Sequence, residues 1–286
     1  MTESSDVGAV LGWGVPRLRD LPWRRTRDPW HVLVSEVMLQ QTQALRVVPR
    51  WLAFVETFPT SASCAAAPLG EVLRLWQGLG YPRRARNLHL AAIAIVDEHG
   101  GRFPDTLDAL LGLPGVGPYT ARAVLAFAFE ADVAVVDTNI ARILARVEGR
   151  RLMAKDAQRL ADSWQVHASA WAWNQSLMDL GATLCRPARP TCGECPLAST
   201  CTWHRGGHAT PDPAIGSAGV STTQAPFAGS DREARGRLMR AMSRGEVQRG
   251  TIGSVMGRRP EDADRLVADL GRDGLLVVDG DVVRLP

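Results

Sequence analysis

Residues 113–146 read LPGVGPYTARAVLAFAFEADVAVVDTNIARILAR, and this stretch decides the fold. It opens with a loop from Leu113 to Gly117, whose two glycines permit positive φ and leave backbone N–H groups exposed. An apolar helical pattern from Thr120 to Phe129 follows directly. A glycine-containing turn that leads into a helix presents oriented amides to an anion, so the stretch predicts a phosphate-binding site.

The second half of this stretch places one carboxylate at the start of a helix. A short apolar segment, Val133 to Val136, ends at Asp137, and a basic amphipathic helix from Ile140 to Arg146 begins directly behind it. Asp137 therefore takes the position of a helix N-cap. The positive end of the helix and its backbone donors are expected to keep this carboxyl group ionised.

The composition of the whole chain fits a globular protein with one large and one smaller domain. Of its 286 residues 45% are hydrophobic and 22% are charged, and the net charge is +3. The sequence contains no apolar run of about eighteen residues, which excludes a membrane-spanning helix. Its first residues, MTESSDVGAV, lack the basic and apolar regions of a secretory signal. We expect a cytoplasmic protein that acts as a monomer.

The order of sequence patterns predicts three segments. Helical patterns and turns alternate through most of residues 1–205, almost without alternation of period two, so this domain is expected to be all-α. Glycine, serine, threonine and proline dominate residues 206–227, which predicts a linker. Residues 228–286 contain three helical patterns and two apolar runs about the turn Asp279–Gly280. They predict a small, winged-helix-like α+β domain.

Four of the five cysteines, Cys185, Cys192, Cys195 and Cys201, are close together in the sequence. In a cytoplasmic chain such clustering favours a metal over disulfides. A single C-x2-C flanked by two more cysteines suits a [4Fe–4S] cluster held by one compact loop. A zinc ion on the same four thiolates is the alternative. With either metal, the site is expected to stabilise a loop rather than to react.

Glu36 lies within a mostly apolar helical pattern, WHVLVSEVMLQQTQ. On an exposed face it would be an ordinary surface carboxylate. If it is partly buried, desolvation raises its pKa, and the group can donate a proton near neutral pH. A proton donor at Glu36 combined with a permanent anion at Asp137 is the pairing that cleaves a glycosidic bond.

Aromatic and basic residues interleave at two further places in the sequence, around Trp23 and after Tyr81. Arginines can contact phosphates while aromatic rings stack on bases, so both clusters favour a DNA partner. The arginines concerned are Arg19, Arg24 and Arg25 in the first cluster, and Arg83, Arg84 and Arg86 in the second.

Together these motifs resemble the helix-hairpin-helix DNA glycosylases that carry an iron–sulfur loop, the endonuclease III superfamily. LPW, SEVMLQQTQ, GLGY, RARNLH, LPGVGPYTA, VVDTN, MDLGATLC and the four-cysteine loop occur in the order of that superfamily, from about Leu18 to Trp203. Within it the chain is similar to the adenine-specific members, in particular the short actinobacterial type. The resemblance implies a two-lobed all-α fold, a [4Fe–4S] cluster and a duplex DNA partner that contains a mismatch.

The resemblance also implies roles for individual residues. Glu36 stands in the position of the residue that protonates the adenine leaving group, and Asp137 in that of the catalytic aspartate. Tyr119 replaces the lysine with which bifunctional members form a Schiff base, so base removal without efficient strand cleavage is expected. The residues implied at or near the adenine pocket are Arg19, Trp23, Asn139 and Gln175.

Two groups of DNA-contacting residues follow from the same resemblance. The first is the hairpin turn, which would hold a phosphate, usually together with a monovalent cation, through Leu113, Gly115, Val116 and Gly117. The second lies beside the base opposite the adenine and comprises Gln41, Thr42, Leu79 and Tyr81.

The expected reaction is hydrolysis of the N-glycosidic bond of adenine mispaired with 8-oxoguanine or guanine, after the adenine is flipped out of the duplex. Two other functions stay open. One is a mismatch glycosylase that removes thymine or uracil opposite guanine. The other is a non-catalytic DNA-binding protein that uses the cluster as a redox switch. Glu36 favours the adenine reaction, because thymine has no N7 atom to protonate.

Overall fold

The computed structural model describes residues 4–164, 170–218 and 226–286. In these residues the first strand begins at Val247, so the prediction of an all-α main body is confirmed. Contacts divide the chain into two units. The first unit contains residues 1–29, 105–107 and 117–223, and the second contains residues 30–104, 108–116 and 224–286. Among the described helices, none combines the length and the apolar character needed to cross a bilayer.

The main body consists of helices joined by short turns. In chain order they are α1 (Ser4–Gly14), α2 (Pro29–Leu39), α3 (Ala44–Thr57), α4 (Ser61–Ala66), α5 (Leu69–Leu75), α6 (Arg83–Asp97), α7 (Leu107–Gly112), α8 (Pro118–Phe127), α9 (Thr138–Glu148), α10 (Ala154–Ser163), α11 (Ala170–Thr183) and α12 (Thr202–Arg205). The C-terminal part contains α13 (Asp231–Met242), β1 (Val247–Gln248), α14 (Ile252–Met256), α15 (Pro260–Arg272), β2 (Val277–Asp279) and β3 (Val282–Arg284).

In the first unit, α11 is the central helix and packs against α1, α8 and α9. Its large apolar side chains, among them Trp173 and Leu180, are buried. Gly181 lets α9 approach closely, since a Cβ atom at this position would lie 2.5 Å from the Cβ of Asn139. Because α11 fixes the first turn of α9, it also fixes the position of Asp137.

The segment that leads to Asp137 is held by one buried side chain of α11. The Oδ1 atom of Asn174 accepts a hydrogen bond from the Val135 amide at 2.9 Å, and its Nδ2 donates to the Val133 carbonyl at 3.0 Å. These bonds satisfy backbone groups of a short stretch that pairs with no strand in the described part of the chain. The chain therefore enters α9 along a defined path.

In the second unit, α2 is apolar on almost every face and is consequently buried. Phe54 of α3 lies at the centre of an aromatic cluster, with its ring centroid 5.2 Å from that of Phe58 and 6.3 Å from that of Trp76. Helix α6 packs on α4 and α5. This core supports the two loops that follow α2 and α5.

The C-terminal part has the predicted winged-helix arrangement, and the second unit includes it. Its three strands are antiparallel in the order β1-β3-β2, and the predicted hairpin pairs Val278 with Val283. Helix α13 is capped at its start, because the Ser230 hydroxyl accepts from the Glu233 amide while the Glu233 carboxylate accepts from the Gly229 amide.

The first part of the predicted linker 206–227 is packed against the first unit. Asp212 forms an ion pair with Arg146 at 2.6 Å, and the Ala218 amide donates to the Leu152 carbonyl at 2.8 Å. The Ser217 hydroxyl accepts from the Leu152 amide. This segment is held by polar contacts and not by large apolar side chains. Its composition therefore resembles that of a linker although it is packed. Residues 219–225 of the predicted linker lie outside the described residues.

The hairpin turn before α8 contains one glycine with positive φ rather than two. Gly115 has φ +77°, and a Cβ atom there would lie 2.7 Å from the Cβ of Asn87. Gly117 has φ −97° and is the N-cap of α8, so this glycine does not use the positive φ that its residue type permits. Pro118 explains the difference, because a residue before proline is driven into the extended region.

Candidate active site

Asp137 is the N-cap of α9, as the sequence predicted. Its Oδ1 accepts from the Ile140 amide at 2.7 Å, and its Oδ2 accepts from the Asn139 side chain at 2.8 Å. Protein atoms surround the carboxyl group on most sides, and this desolvation raises the pKa of Asp137. The hydrogen bonds and the charge of Arg142 act in the opposite direction without cancelling that effect. Ionisation of the Asp137 carboxyl group is therefore less favourable than its position as a helix cap alone would predict.

Asp137 is linked through hydrogen bonds to the four-cysteine loop. Asn139 Oδ1 accepts from Arg142 Nη2 at 2.7 Å, and Arg142 Nε donates to the Cys185 carbonyl at 2.6 Å. Arg142 is only 4% exposed, although the sequence pattern suggested a basic surface on α9. The sequence analysis did not single out this arginine, because its partners lie far away along the chain.

Gln175 of α11 presents an unsatisfied polar atom. The side chain is 4% exposed, and among the described residues its Oε1 atom has no hydrogen-bond partner. A buried acceptor without a donor costs about 1–3 kcal/mol. A donor from a bound molecule could satisfy this atom.

Arg19 and Trp23, predicted near the adenine pocket, lie beside a buried ion-pair cluster. Asp179 of α11 accepts hydrogen bonds from Arg19 at 2.7 Å and from Arg24 at 2.7 and 2.8 Å. Burial alone would raise the pKa of Asp179, but the two arginines outweigh it and lower the pKa. Trp23 is buried and belongs to the short 3-10 turn Pro22–Arg24. Arg24 therefore has an internal partner, unlike the phosphate contact expected from its cluster.

Tyr119 lies in the first turn of α8 and is half-buried. The first unit therefore contains Asp137, Asn139, Tyr119, Gln175, Arg19, Trp23 and the four cysteines, whereas the second contains Glu36 and most of the predicted DNA-contacting residues.

Glu36 is buried in the middle of α2, with only 5% of its surface exposed. Its neighbours in the helix, Val32, Leu33 and Val37, are buried as well. The possibility of an ordinary surface carboxylate is therefore excluded. The second unit holds its carboxyl group in an apolar helix, whereas the first unit holds Asp137 in a polar network.

A single arginine organises the two loops predicted to contact the opposing base. Arg84 donates to the carbonyls of Gln40 at 2.6 Å, Leu79 at 3.0 Å and Gly80 at 3.1 Å. It also donates to the carbonyls of α2 and to the Thr42 hydroxyl. Burial lowers the pKa of Arg84 to about 10, which still leaves it charged at neutral pH. Arg84 consequently supports these loops from inside and is not a phosphate contact.

The loops themselves contain uncommon backbone conformations. Gln41 has φ +55° and Tyr81 has φ +48°, a region that residues other than glycine rarely adopt. The Thr42 hydroxyl lies 3.5 Å from the Leu79 carbonyl, so the two loops are neighbours. Residues held in such conformations concentrate at functional sites.

In the hairpin turn the two apolar residues point inward and the glycines leave the backbone accessible. Leu113 and Val116 are buried, and the Val116 amide donates to the Leu113 carbonyl at 3.1 Å. At Gly117 a Cβ atom would meet no heavy atom within 4 Å. The N-terminus of α8 is thus open to the approach of an anion.

The four cysteines line one cavity in the first unit. Its atom-free volume is about 390 Å³, including the part open to solvent, and the other lining residues include Ile143, Leu180, Leu197 and Trp203. Burial raises the pKa of the Cys195 thiol to about 12. Free thiolates are therefore unfavourable in this cavity unless a metal replaces the protons.

The cysteine loop also brings two histidines close to one of its sulfur atoms. Among the described residues, ligand atoms of Cys192, His204 and His208 all lie within 4.8 Å of one another. Arg146, which is 2% exposed, lies 3.4 Å from Cys185 Sγ and can offset the negative charge of a thiolate cluster.

Comparison with known proteins agrees with this geometry. Residues 34–166 match the HhH-GPD superfamily of base excision DNA repair proteins. An adenine DNA glycosylase from Mycolicibacterium smegmatis is 42% identical over 274 residues, which cover 93% of this chain and 91% of that protein.

The chain belongs to the HhH-GPD superfamily. The predicted resemblance to this superfamily, including the short layout, is thereby confirmed. A thermostable thymine-DNA glycosylase of known structure is 31% identical, with a TM-score of 0.67, over 70% of this chain and 95% of that one. A DNA complex of endonuclease III, at 24% identity, has a TM-score of 0.62 over 73% of this chain and 100% of that one, and supports the fold.

Proposed function

We propose that this HhH-GPD protein hydrolyses the N-glycosidic bond of adenine mispaired with 8-oxoguanine or guanine in duplex DNA. One observation carries the proposal: Glu36 is buried in the middle of α2, and Asp137 is a half-buried helix cap whose pKa is raised by desolvation. Two acids of one type that differ in surroundings can take different roles in glycosidic cleavage. The high similarity to an adenine DNA glycosylase supports adenine as the base.

Glu36 acts as the general acid. Its burial in α2 keeps the side chain away from bulk water, where it can pass a proton to the departing base. Protonation of a purine at N7 weakens the bond between N9 and the sugar. The proton moves to the leaving base, and the bond electrons depart with it.

Asp137 acts on the other product of this cleavage, the positively charged sugar. Its burial makes the isolated anion unfavourable, and a nearby positive charge relieves that cost. Asn139 and the Ile140 amide hold the carboxylate in one orientation throughout. Water then adds to the sugar, with Glu36 as the base that accepts its proton.

Gln175 supports recognition of the base. Its buried Oε1 is an acceptor without a donor among the described residues. The amino group of adenine offers such a donor, whereas thymine presents a carbonyl at the corresponding edge. A site that provides a buried acceptor discriminates strongly against a base that lacks the donor.

Tyr119 makes the proposed enzyme monofunctional. A phenol is a poor nucleophile toward the sugar and cannot form a Schiff base. The product would accordingly be an intact strand that carries an abasic site.

Cys185, Cys192, Cys195 and Cys201 would hold a [4Fe–4S] cluster, as members of this superfamily usually do. When bound, the cluster supplies a rigid anchor for the loop between α11 and α12. The chain's own residues then transmit that rigidity, because Arg142 connects the Cys185 carbonyl to Asn139.

A glycosylase assay on matched duplexes tests the proposal. The substrates contain A:8-oxoguanine, A:G, T:G or A:T at one position, and each reaction is analysed with and without alkali. We expect adenine release from the first two duplexes and strand breaks only after alkali. Release from none of the four, or breaks without alkali, would contradict the proposal.

The second candidate is removal of thymine opposite guanine, which the fold similarity to a thymine-DNA glycosylase favours. The same assay separates the two. Faster release from T:G than from A:8-oxoguanine would replace the adenine assignment.

A further inference from the structure

The C-terminal winged-helix module, residues 226–286, contacts helices α5 and α6. These helices flank residues 76–82, here called the Tyr81 loop. The Gly70 amide at the start of α5 donates to the Pro286 carbonyl at 3.0 Å, and a Cβ atom at Gly70 would lie 2.5 Å from that oxygen. Arg83 of α6 pairs with Asp273 through two contacts of 2.5 and 2.6 Å. The module is therefore attached to the helix before the loop and to the helix after it.

The surfaces with which winged helices usually meet DNA carry charges of both signs here. Helix α15 exposes Glu261 and Asp264, and its Arg265 forms an ion pair with Asp231 at 2.9 Å. The exposed Arg259 and Arg272 at its two ends pair with Asp262 and Asp269. The hairpin turn carries Asp279 and Asp281, both exposed. Carboxylates offset the arginines, so these surfaces attract phosphates less than a basic patch would.

One residue of the module reaches the Tyr81 loop directly. Arg232, in the first turn of α13, donates from Nη1 to the Tyr81 hydroxyl at 3.2 Å. Its guanidinium also lies 5.3 Å from the centroid of the Phe227 ring. The cap formed by Ser230 and Glu233 fixes the start of α13, so the direction of Arg232 is defined.

Tyr81 is thus held from two sides. Arg84 lies 5.5 Å from the centroid of its ring on the side of α2, and Arg232 binds its hydroxyl from the module. Its backbone has φ +48°, and the preceding Gly80 has φ +73°. A loop in this conformation needs external contacts to keep a single arrangement.

We propose that Arg232 is a positioning residue that sets the orientation of Tyr81 and thereby the preference for the base opposite adenine. This inference rests on the proposed function, in which Tyr81 lies beside the opposing base. In this view the module contributes to specificity through Tyr81 and not through DNA contacts of its own.

Two single substitutions and their combination test the coupling. In Arg232→Gln the glutamine side chain is too short to reach the Tyr81 hydroxyl. Tyr81→Phe removes this hydroxyl and keeps the aromatic ring. Arg240→Gln is the matched control, because Arg240 lies on the same helix, is exposed and carries the same charge. The readout is the ratio of single-turnover adenine release from A:8-oxoguanine to that from A:C.

One net hydrogen bond is worth about 1 kcal/mol, so each substitution should lower this ratio about fivefold. The double variant should show no further loss, and Arg240→Gln should match the wild-type protein. A wild-type ratio in Arg232→Gln, or losses that multiply in the double variant, would overturn the proposal.

Failure of the proposed function can be distinguished from failure of the coupling between Arg232 and Tyr81. If the wild-type protein releases adenine from no duplex, the same variants are compared by their affinity for duplexes with an abasic analogue opposite 8-oxoguanine or cytosine. The coupling is supported if both single variants lose the difference in affinity between the two duplexes and the double variant loses no more. It is rejected if all proteins show the same difference in affinity.

Discussion

The two units of the protein hold their buried carboxyl groups in different ways. In the first unit, Asp137 is surrounded by donors, and Asn139 and Arg142 connect it to the cysteine loop. In the second unit, Glu36 is buried in the middle of α2, and its helix neighbours Val32, Leu33 and Val37 are apolar and buried. Buried polar groups are expensive unless they are satisfied, so the protein maintains each of these environments at a cost.

The comparison shows how one residue type can supply two chemical properties. A polar network fixes the orientation of a carboxylate and tolerates its charge, whereas an apolar helix favours the protonated form. The first property suits stabilisation of a cation and the second suits proton donation. Substitutions that leave shape unchanged but alter charge therefore separate the two environments.

The largest expected effect is on the rate of adenine release. Glu36→Gln should slow single-turnover release about 10³-fold, since general acid catalysis contributes about 10²–10⁴. Asp137→Asn should slow it about 10²- to 10³-fold through loss of charge stabilisation. The exposed Glu56 of α3 provides the control, and Glu56→Gln should match the wild-type protein. A Glu36→Gln rate within tenfold of wild type would contradict the role of Glu36.

Substitution of a cysteine in the loop should lower stability and remove metal. Cys195→Ala is expected to release iron and to reduce the melting temperature by about 10 °C, because metal binding and folding are coupled and a few kcal/mol shift Tm by several degrees. Cys64 is also fully buried but lies in the second unit. Cys64→Ala should therefore retain all iron. Equal iron content in the two variants would argue against the cluster site.

Arg84 and Arg83 are neighbours whose substitution should destabilise the protein to very different extents. Arg84→Met leaves several carbonyls without a donor, and breaking such a buried charged network costs about 3–5 kcal/mol. Arg83 pairs with Asp273 on the surface, so Arg83→Gln should cost less than about 1 kcal/mol. Denaturant unfolding measures both values. If Arg83→Gln proves as destabilising as Arg84→Met, Arg84 does not organise the two loops as described.

The smallest effect concerns pH and Asp137. A carboxyl group whose pKa is raised by folding stabilises the protein while protonated, and this contribution is lost as pH rises through the folded-state pKa. Asp137→Asn keeps one cap acceptor and carries no charge, so its stability relative to wild type should be higher at pH 7 than at pH 4. Exposed Asp97→Asn should show no such trend. A gain that is independent of pH would contradict the sign of the shift.

Local signals in the sequence predicted much of the site. The N-cap at Asp137, the four-cysteine loop and the hairpin about Asp279–Gly280 each depend on residues close together in the chain. Capping, metal spacing and turn chemistry act over a few residues, so a sequence is sufficient to place them.

The partners of the arginines could not be predicted in this way. Arg84 stands in a basic cluster that favours DNA contact and Arg142 in a basic amphipathic helix, yet both donate to carbonyls distant in sequence. The segment around Asp212 likewise has the composition of a linker and packs through polar contacts. Which charged groups find internal partners depends on tertiary structure, and a helical pattern contains no information about it.

The central claim is that Glu36 supplies a proton while Asp137 supplies a negative charge. Its most direct test is the pH dependence of single-turnover adenine release from an A:8-oxoguanine duplex, for wild type, Glu36→Gln and Asp137→Asn. The account predicts a bell-shaped profile for wild type, loss of the alkaline limb in Glu36→Gln and loss of the acidic limb in Asp137→Asn. Identical profile shapes for all three proteins would contradict it.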